Sequence, residues 1–261
     1  MPTTLPHYRE VGDGETTVFL LHGAYGDGRY FRRLQDHLAD GGRRVIAWDC
    51  PGYGVSSPPA SATVEGFADA AIEMIDELGT NRNVVLGHSM GSLIAPRAVN
   101  GTSQTVNGLV LSAASAGFKA RTAEDQRRFL HERLEPIRQG MTVAEYAPEL
   151  LRNMMGPGAA GEDVDLVVRV VSEMDTDVFE RSLTALTMYD GRPALRELAV
   201  PTLLIAGECD TACPPAGMRV IDDLVADSRF HELSGVGHYG FAEDFDRYSA
   251  LLDDFLAEVD A

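Results

Sequence analysis

Five short apolar runs, none alternating with polar residues, recur along the chain: TTVFLLHG (16–23), RRVIAWD (43–49), RNVVLGH (82–88), NGLVLSAA (107–114) and VPTLLIAG (200–207). Strands of this kind are covered on both faces, as in a parallel sheet flanked by its crossover helices. A sixth strand-like run, SRFHELS (228–234), is more polar. Helical patterns fill the intervals. Phe67, Ala71, Ile75 and Leu78 fall on one face with Asp69, Glu73 and Asp76 turned away, and Thr63 is placed to cap that helix. Phe245, Tyr248, Leu252, Phe255 and Val259 repeat in the same way near the C-terminus. This alternation predicts an α/β fold, a mostly parallel sheet with helices on both faces.

One region breaks the rhythm. Residues 118–195 carry helical signals and no convincing strand, and Pro201 marks the return to the sheet. The expected organisation is a core in two parts, 1–117 and 196–261, with a helical cap at 118–195 between them. At 261 residues the chain is long enough to bury a full core.

Composition narrows the function classes. With 22 basic and 40 acidic residues the net charge is −18, which repels nucleic acid and anionic membranes. The N-terminal MPTTLPHYREVGDGE lacks the basic and apolar regions of a signal peptide. No apolar run approaches the roughly 20 residues of a membrane span. Cys50, Cys209 and Cys213 make no disulfide framework and no C-x-x-C pair, and read as incidental or buried thiols in a reducing cytoplasm. The expected partner is a small-molecule substrate, in the cytoplasm, without nucleic acid or membrane; the sequence leaves the oligomeric state open, a homo-oligomer included.

In an open parallel sheet the ligand sits at the carboxyl ends of the strands. The residues after the runs are therefore the informative ones. They are His22-Gly23-Ala24-Tyr25-Gly26, His88-Ser89-Met90-Gly91, Gly207-Glu208-Cys209-Asp210 and Gly235-Val236-Gly237-His238. A serine, an acid and a histidine thus share one rim. G-x-S-x-G alone arises by chance in about one chain in ten of such composition. Here it also lies between a strand and a helix, where a nucleophile elbow belongs, with an acid and a histidine after later strands.

These motifs, HGAYG, DCPGYGVSS (49–57), GHSMG, LLIAGECDTACPP (203–215) and GVGHYGFAE (235–243), resemble those of the α/β-hydrolases over nearly the whole chain. The inserted helices resemble the cap of the branch that holds enol-lactone hydrolases, small carboxylesterases and meta-cleavage-product hydrolases. The resemblance implies a sheet of about seven or eight strands. The short N-terminus leaves no room for the family's first antiparallel strand, which favours seven. It further implies Ser89 as nucleophile, His238 as base and Asp210 as the acid orienting it. The backbone N–H groups of Ala24 and Met90 become the oxyanion hole. No cofactor and no metal is expected. The rim histidines show no H-x-x-x-H or His/carboxylate spacing, and His22 and His88 read as loop residues braced by backbone.

Glu208 and Asp244 compete with Asp210 for the acid role, and position after the strand favours Asp210. The pairs Met154-Met155 and Met188-Tyr189 read as helix packing. Arg127, Arg128, Arg138 and Arg181 could meet a substrate carboxylate, with surface ion pairs the plainer reading. The implied reaction is hydrolysis of a small ester or lactone. Alternatives on the same fold are C–C bond hydrolysis of a meta-cleavage-type dienoate, a cofactor-independent lyase or oxygenase, and a ligand receptor. C–C hydrolases of the branch usually place a tryptophan directly after the histidine and an arginine in the cap. Here Tyr239 follows His238, and the only tryptophan is Trp48.

Overall fold

The computed structural model describes residues 5–119 and 122–260. Residues 1–4 of the N-terminal segment, residues 120 and 121 in the expected cap, and residue 261 lie outside the described residues. The apolar runs become strands: β2 (Thr16–Leu21), β3 (Arg44–Trp48), β4 (Arg82–His88), β5 (Val106–Ser112), β6 (Thr202–Gly207) and β7 (Ser228–Leu233). All six residues of β2 and of β6 are buried, the two-sided coverage that their composition requires.

The sheet has seven strands among the described residues, in the order β1-β3-β2-β4-β5-β6-β7. The additional strand is β1 (Tyr8–Val11), antiparallel to β3 with Tyr8 opposite Trp48 and Val11 opposite Val45. The short N-terminus therefore does hold one antiparallel strand. It escaped the apolar signal because YREV is a four-residue edge strand with Arg9 and Glu10 exposed. Charge on a short edge also discourages pairing with another sheet. β7, at the other edge, is polar for the same reason. The remaining pairs are parallel.

Strand order places the site. From β2 the chain crosses to β3 on one side, and it later returns to β4 on the other. The crevice of a doubly wound sheet opens at such a reversal, beyond the carboxyl ends of the strands concerned. The loops after β2 and β4 carry HGAYG and HSMG, and so they meet there.

Helices α1 (Arg32–Asp40), α2 (Val64–Leu78) and α3 (Met90–Gly101) connect the early strands. Thr63 caps α2 by accepting a hydrogen bond from the Gly66 N–H at 3.1 Å. Between β5 and β6 the chain makes a helical excursion: α4 (Ala123–Arg138), α5 (Val143–Arg152), α6 (Glu162–Ser172), α7 (Thr176–Thr187) and the short α8 (Arg192–Arg196). Its two ends are pinned together by an antiparallel bridge between Gly117 and Asp190. Helices α9 (Pro215–Asp222), α10 (Gly240–Glu243) and α11 (Phe245–Val259) complete the layers. No helix among the described residues is long and apolar enough to cross a membrane.

Candidate active site

Ser89 follows β4 and stands at the position just before α3, with φ 52° and ψ −113°. Only Ser89 and Ala113 have positive φ among the described non-glycine residues. The strain is held from both sides. The Ser89 N–H donates to the Ser112 carbonyl at 3.0 Å, and the Ser92 N–H donates to the Ser89 carbonyl at 2.9 Å. The flanking glycines have a steric cause. A Cβ on Gly87 would lie 2.9 Å from that of Ala95 and closer still to the backbone of Gly91. A Cβ on Gly91 would lie 2.9 Å from the His22 carbonyl oxygen, and nearer to that of Leu21. Met90 begins α3, where an N–H has no carbonyl four residues back within the helix. Ala24 follows Gly23, whose N–H donates to the Tyr30 hydroxyl at 2.7 Å, fixing this loop against the core.

Asp210 and His238 stand on the loops after β6 and β7, and their side chains meet. His238 Nδ1 lies 2.7 Å from Asp210 Oδ2. The N–H groups of Ala212 and Cys213 donate to the other carboxylate oxygen at 2.8 and 2.9 Å. Burial alone would push the Asp210 pKa up. The His238 imidazole and the two amides outweigh it, and the carboxyl is held below its usual range. The other ring nitrogen, His238 Nε2, is buried without a protein partner. Glu243 braces this loop: the N–H groups of Gly156, Gly237 and Tyr239 donate to its carboxylate at 2.7, 2.8 and 2.8 Å. The His238 N–H donates to the Met154 carbonyl at 2.8 Å, tying the loop to the helical excursion.

The competing acids are engaged elsewhere. Glu208 accepts from the Ser234 hydroxyl and the Gly235 N–H, both at 2.7 Å, at the surface. Asp244 caps α11 and pairs with Arg247. His22 is braced by backbone, with Nδ1 2.8 Å from the Gly23 carbonyl and Nε2 accepting from the Cys50 N–H at 2.9 Å. His88 is not. Both its ring nitrogens lack protein partners, and it is wedged among the rings of Tyr30, Phe31, His238, Tyr239 and Phe241. Here shape, not hydrogen bonding, holds the ring.

Burial is the largest influence on both histidines and pushes their pKa values down, that of His88 strongly. The unfolded chain gains protons at these positions below about pH 6.5, whereas the folded protein resists them until lower pH. Their contribution is therefore complete above that pH and lost below it, by up to about 1.4 kcal/mol per pH unit for each histidine. Urea unfolding between neutral and mildly acidic pH should show this slope, and His88→Phe should remove about one histidine's share of it. An unchanged slope in that variant would exclude His88 as a source of acid lability.

Ser89, His238, Ala24 and Met90 line one cavity of about 30 Å³, with Asp210 behind His238. Its other walls include Leu93, Phe118, Phe129, Met154 and Leu186, which are apolar. Three further polar residues that the sequence did not assign to the site also line it: Ser115, Arg133 and Cys213. Arg133 lines the cavity with its guanidinium 4.0 Å over the Phe129 ring, and its charge partly offsets the burial that pushes the Tyr25 pKa up to about 12. The arginines considered from sequence, Arg127, Arg128, Arg138 and Arg181, are all exposed instead. The signal for Arg133 was periodic: it falls in step with Phe129 and Ile137 on the inward face of α4. Cys213 also lines the cavity, and so is not incidental. Met154 lines it as well, whereas Met188 is 64% exposed. Trp48 is fully buried at the end of β3, its ring centroid 6.3 Å from that of His22.

Residues 18–251 match the model of the Alpha/beta hydrolase family. A 2-hydroxy-6-oxononadienedioate/2-hydroxy-6-oxononatrienedioate hydrolase of Pseudomonas sp is 28% identical over 269 residues, covering 96% of this chain and 91% of the relative. Among solved structures, an esterase from Exiguobacterium antarcticum superposes with a TM-score of 0.83 at 22% identity, covering 98% of this chain and 95% of its own. A bromoperoxidase from Bacillus anthracis also gives 0.83, at 20% identity, covering 96% and 94% respectively.

Proposed function

Because the chain belongs to the alpha/beta hydrolase family, we propose that it hydrolyses small carboxylic esters or lactones through an acyl-enzyme on Ser89. His238 Nε2 takes the Ser89 hydroxyl proton as Oγ attacks the carbonyl carbon. Asp210 keeps the proton on Nδ1 and stabilises the imidazolium that forms. The tetrahedral oxyanion is received by the backbone N–H groups of Ala24 and Met90, and losing one such donor typically costs about 10²–10³ in rate. His238 then protonates the leaving alkoxide. Water, deprotonated by the same nitrogen, releases the acid. Residues 118–195 serve as a cap closing the cavity over the two core segments, 1–117 and 196–261.

The observation that carries this reading is that Ser89 and His238, with Nε2 unpartnered, share one small and mainly apolar cavity. A space of about 30 Å³ accommodates about two waters. That favours a short acyl group, and it asks for nothing beyond the five groups named.

A second reading is C–C hydrolysis of a dienoate. It is favoured by the name of the Pseudomonas relative and by Arg133 in the cavity wall, where a substrate carboxylate could pair with it. Against it stand the cavity's size and the residue after His238. Such a reaction first needs the dienol protonated on carbon. Tyr239 stands where that branch usually has tryptophan, and Trp48 is sealed in the core.

The test compares kcat/KM on p-nitrophenyl acetate, p-nitrophenyl octanoate, a small enol-lactone and a 2-hydroxy-6-oxo-dienoate. The acetate or the lactone is expected to be best, with the octanoate poor. Dienoate turnover about a hundredfold better than the others, some 2.7 kcal/mol of barrier, would replace this reading by the second. In that event Arg133→Gln should lower dienoate turnover selectively, by about ten- to a hundredfold, as expected for one charged hydrogen bond.

A further inference from the structure

The candidate catalytic pair has a third neighbour that ester chemistry does not use. Cys213 lies three residues after Asp210 and donates its N–H to the same carboxylate at 2.9 Å. Its Sγ, a His238 ring nitrogen and an Asp210 carboxylate oxygen all lie within 4.8 Å of one another, and all three residues are buried. Cys213 and His238 both face the cavity. A buried imidazole nitrogen, His238 Nε2, has no protein partner there.

A thiolate, an imidazole and a carboxylate with one open position make a donor set that Zn²⁺ accepts. Bond lengths of about 2.0–2.3 Å to a tetrahedral Zn²⁺ put donors roughly 3.5 Å apart, so the present cluster needs a contraction of about 1 Å. Arg133 in the same cavity wall opposes a cation. The thiolate and carboxylate supply two negative charges against it, and the overall charge of −18 raises the local cation concentration.

We propose that Cys213, His238 and Asp210 form a binding site for Zn²⁺ or a similarly thiophilic divalent cation, whose occupancy switches the hydrolase off. As the metal–sulfur bond forms, the thiol proton passes to solvent. A metal on Nε2 occupies the lone pair that would accept the Ser89 proton. A metal on Nδ1 displaces the proton shared with Asp210. Either geometry removes the base. The inhibitory effect rests on the proposed role of His238; binding of the metal does not.

Two readouts separate those claims. Co²⁺ is titrated into the full chain and thiolate-to-metal charge-transfer absorption is recorded in the near ultraviolet. Zn²⁺ is titrated against p-nitrophenyl acetate turnover, each variant being compared with its own chelator-treated rate. Wild type and Ser89→Ala should both give the thiolate band. Cys213→Ser and Cys213→Ala should lose it, and should need at least about ten- to a hundredfold more Zn²⁺ for half-inhibition, the loss seen even when only a residue supporting a metal ligand is removed. Chelation should restore wild-type turnover. Absence of the band in wild type, or equal half-inhibition in wild type and both Cys213 variants, would overturn the proposal. If the band is present but ester turnover survives in Ser89→Ala, the metal site stands and the serine mechanism fails.

Discussion

Ser89→Ala is expected to lower kcat on the preferred ester by about 10⁶-fold, the scale seen when the serine of a triad is removed. The substitution deletes the attacking oxygen and nothing else that the turn needs. Both hydrogen bonds holding the turn use the Ser89 backbone. The positive φ is no obstacle to alanine either, since Ala113 already adopts φ 49° in this chain. The variant should therefore unfold at nearly the wild-type urea midpoint. Intact mass after treatment with a fluorophosphonate should show one adduct on the wild type and none on the variant. Wild-type kcat in a folded Ser89→Ala would eliminate the acyl-enzyme mechanism.

Asp210→Asn is expected to cost about 10⁴-fold in kcat, as the corresponding change does in a well-studied triad. The carboxylate accepts from His238 Nδ1 and so leaves Nε2 free to take the serine proton. An asparagine amide can instead donate to Nδ1, which selects the opposite tautomer. No nearby acid can take over, because Glu208 is held at the surface by Ser234 and Gly235. Glu208→Gln should leave kcat within a fewfold of wild type, in line with a surface substitution. A silent Asp210→Asn beside a damaging Glu208→Gln would move the acid role to Glu208.

Most of the architecture was legible because burial on both faces leaves a local mark. The runs at β2 through β6 could hardly be anything but covered strands, and Thr63 at α2 followed the same local logic of capping. β1 was not legible. An edge strand has one neighbour and an open face, so YREV satisfies it without any apolar run. The rim residues could be read off because a parallel sheet presents all its strand ends on one side. Position after a strand then stands in for position in space, which drew attention to Ser89, Asp210 and His238 although they are far apart in the chain.

Distances, cavity size and the direction of long side chains depend on what packs across from them, and no local rule carries that information. The 2.7 Å contact between Asp210 and His238 arises from the parallel pairing of β6 with β7. The cavity of about 30 Å³ is set by where the excursion between β5 and β6 rests on the core. Its arginine is Arg133 and not Arg181 because α4 turns the face of Phe129 and Ile137 inward, while Arg181 stands on the outer side of α7. Cys213 joins the site because the turn after Asp210 folds its own amide back onto that carboxylate. The sequence by itself determined the layers, the rim and the type of chemistry on offer. Tertiary packing decided which side chains reach the cavity and how much room they leave, because reach and volume are properties of facing surfaces and not of one segment.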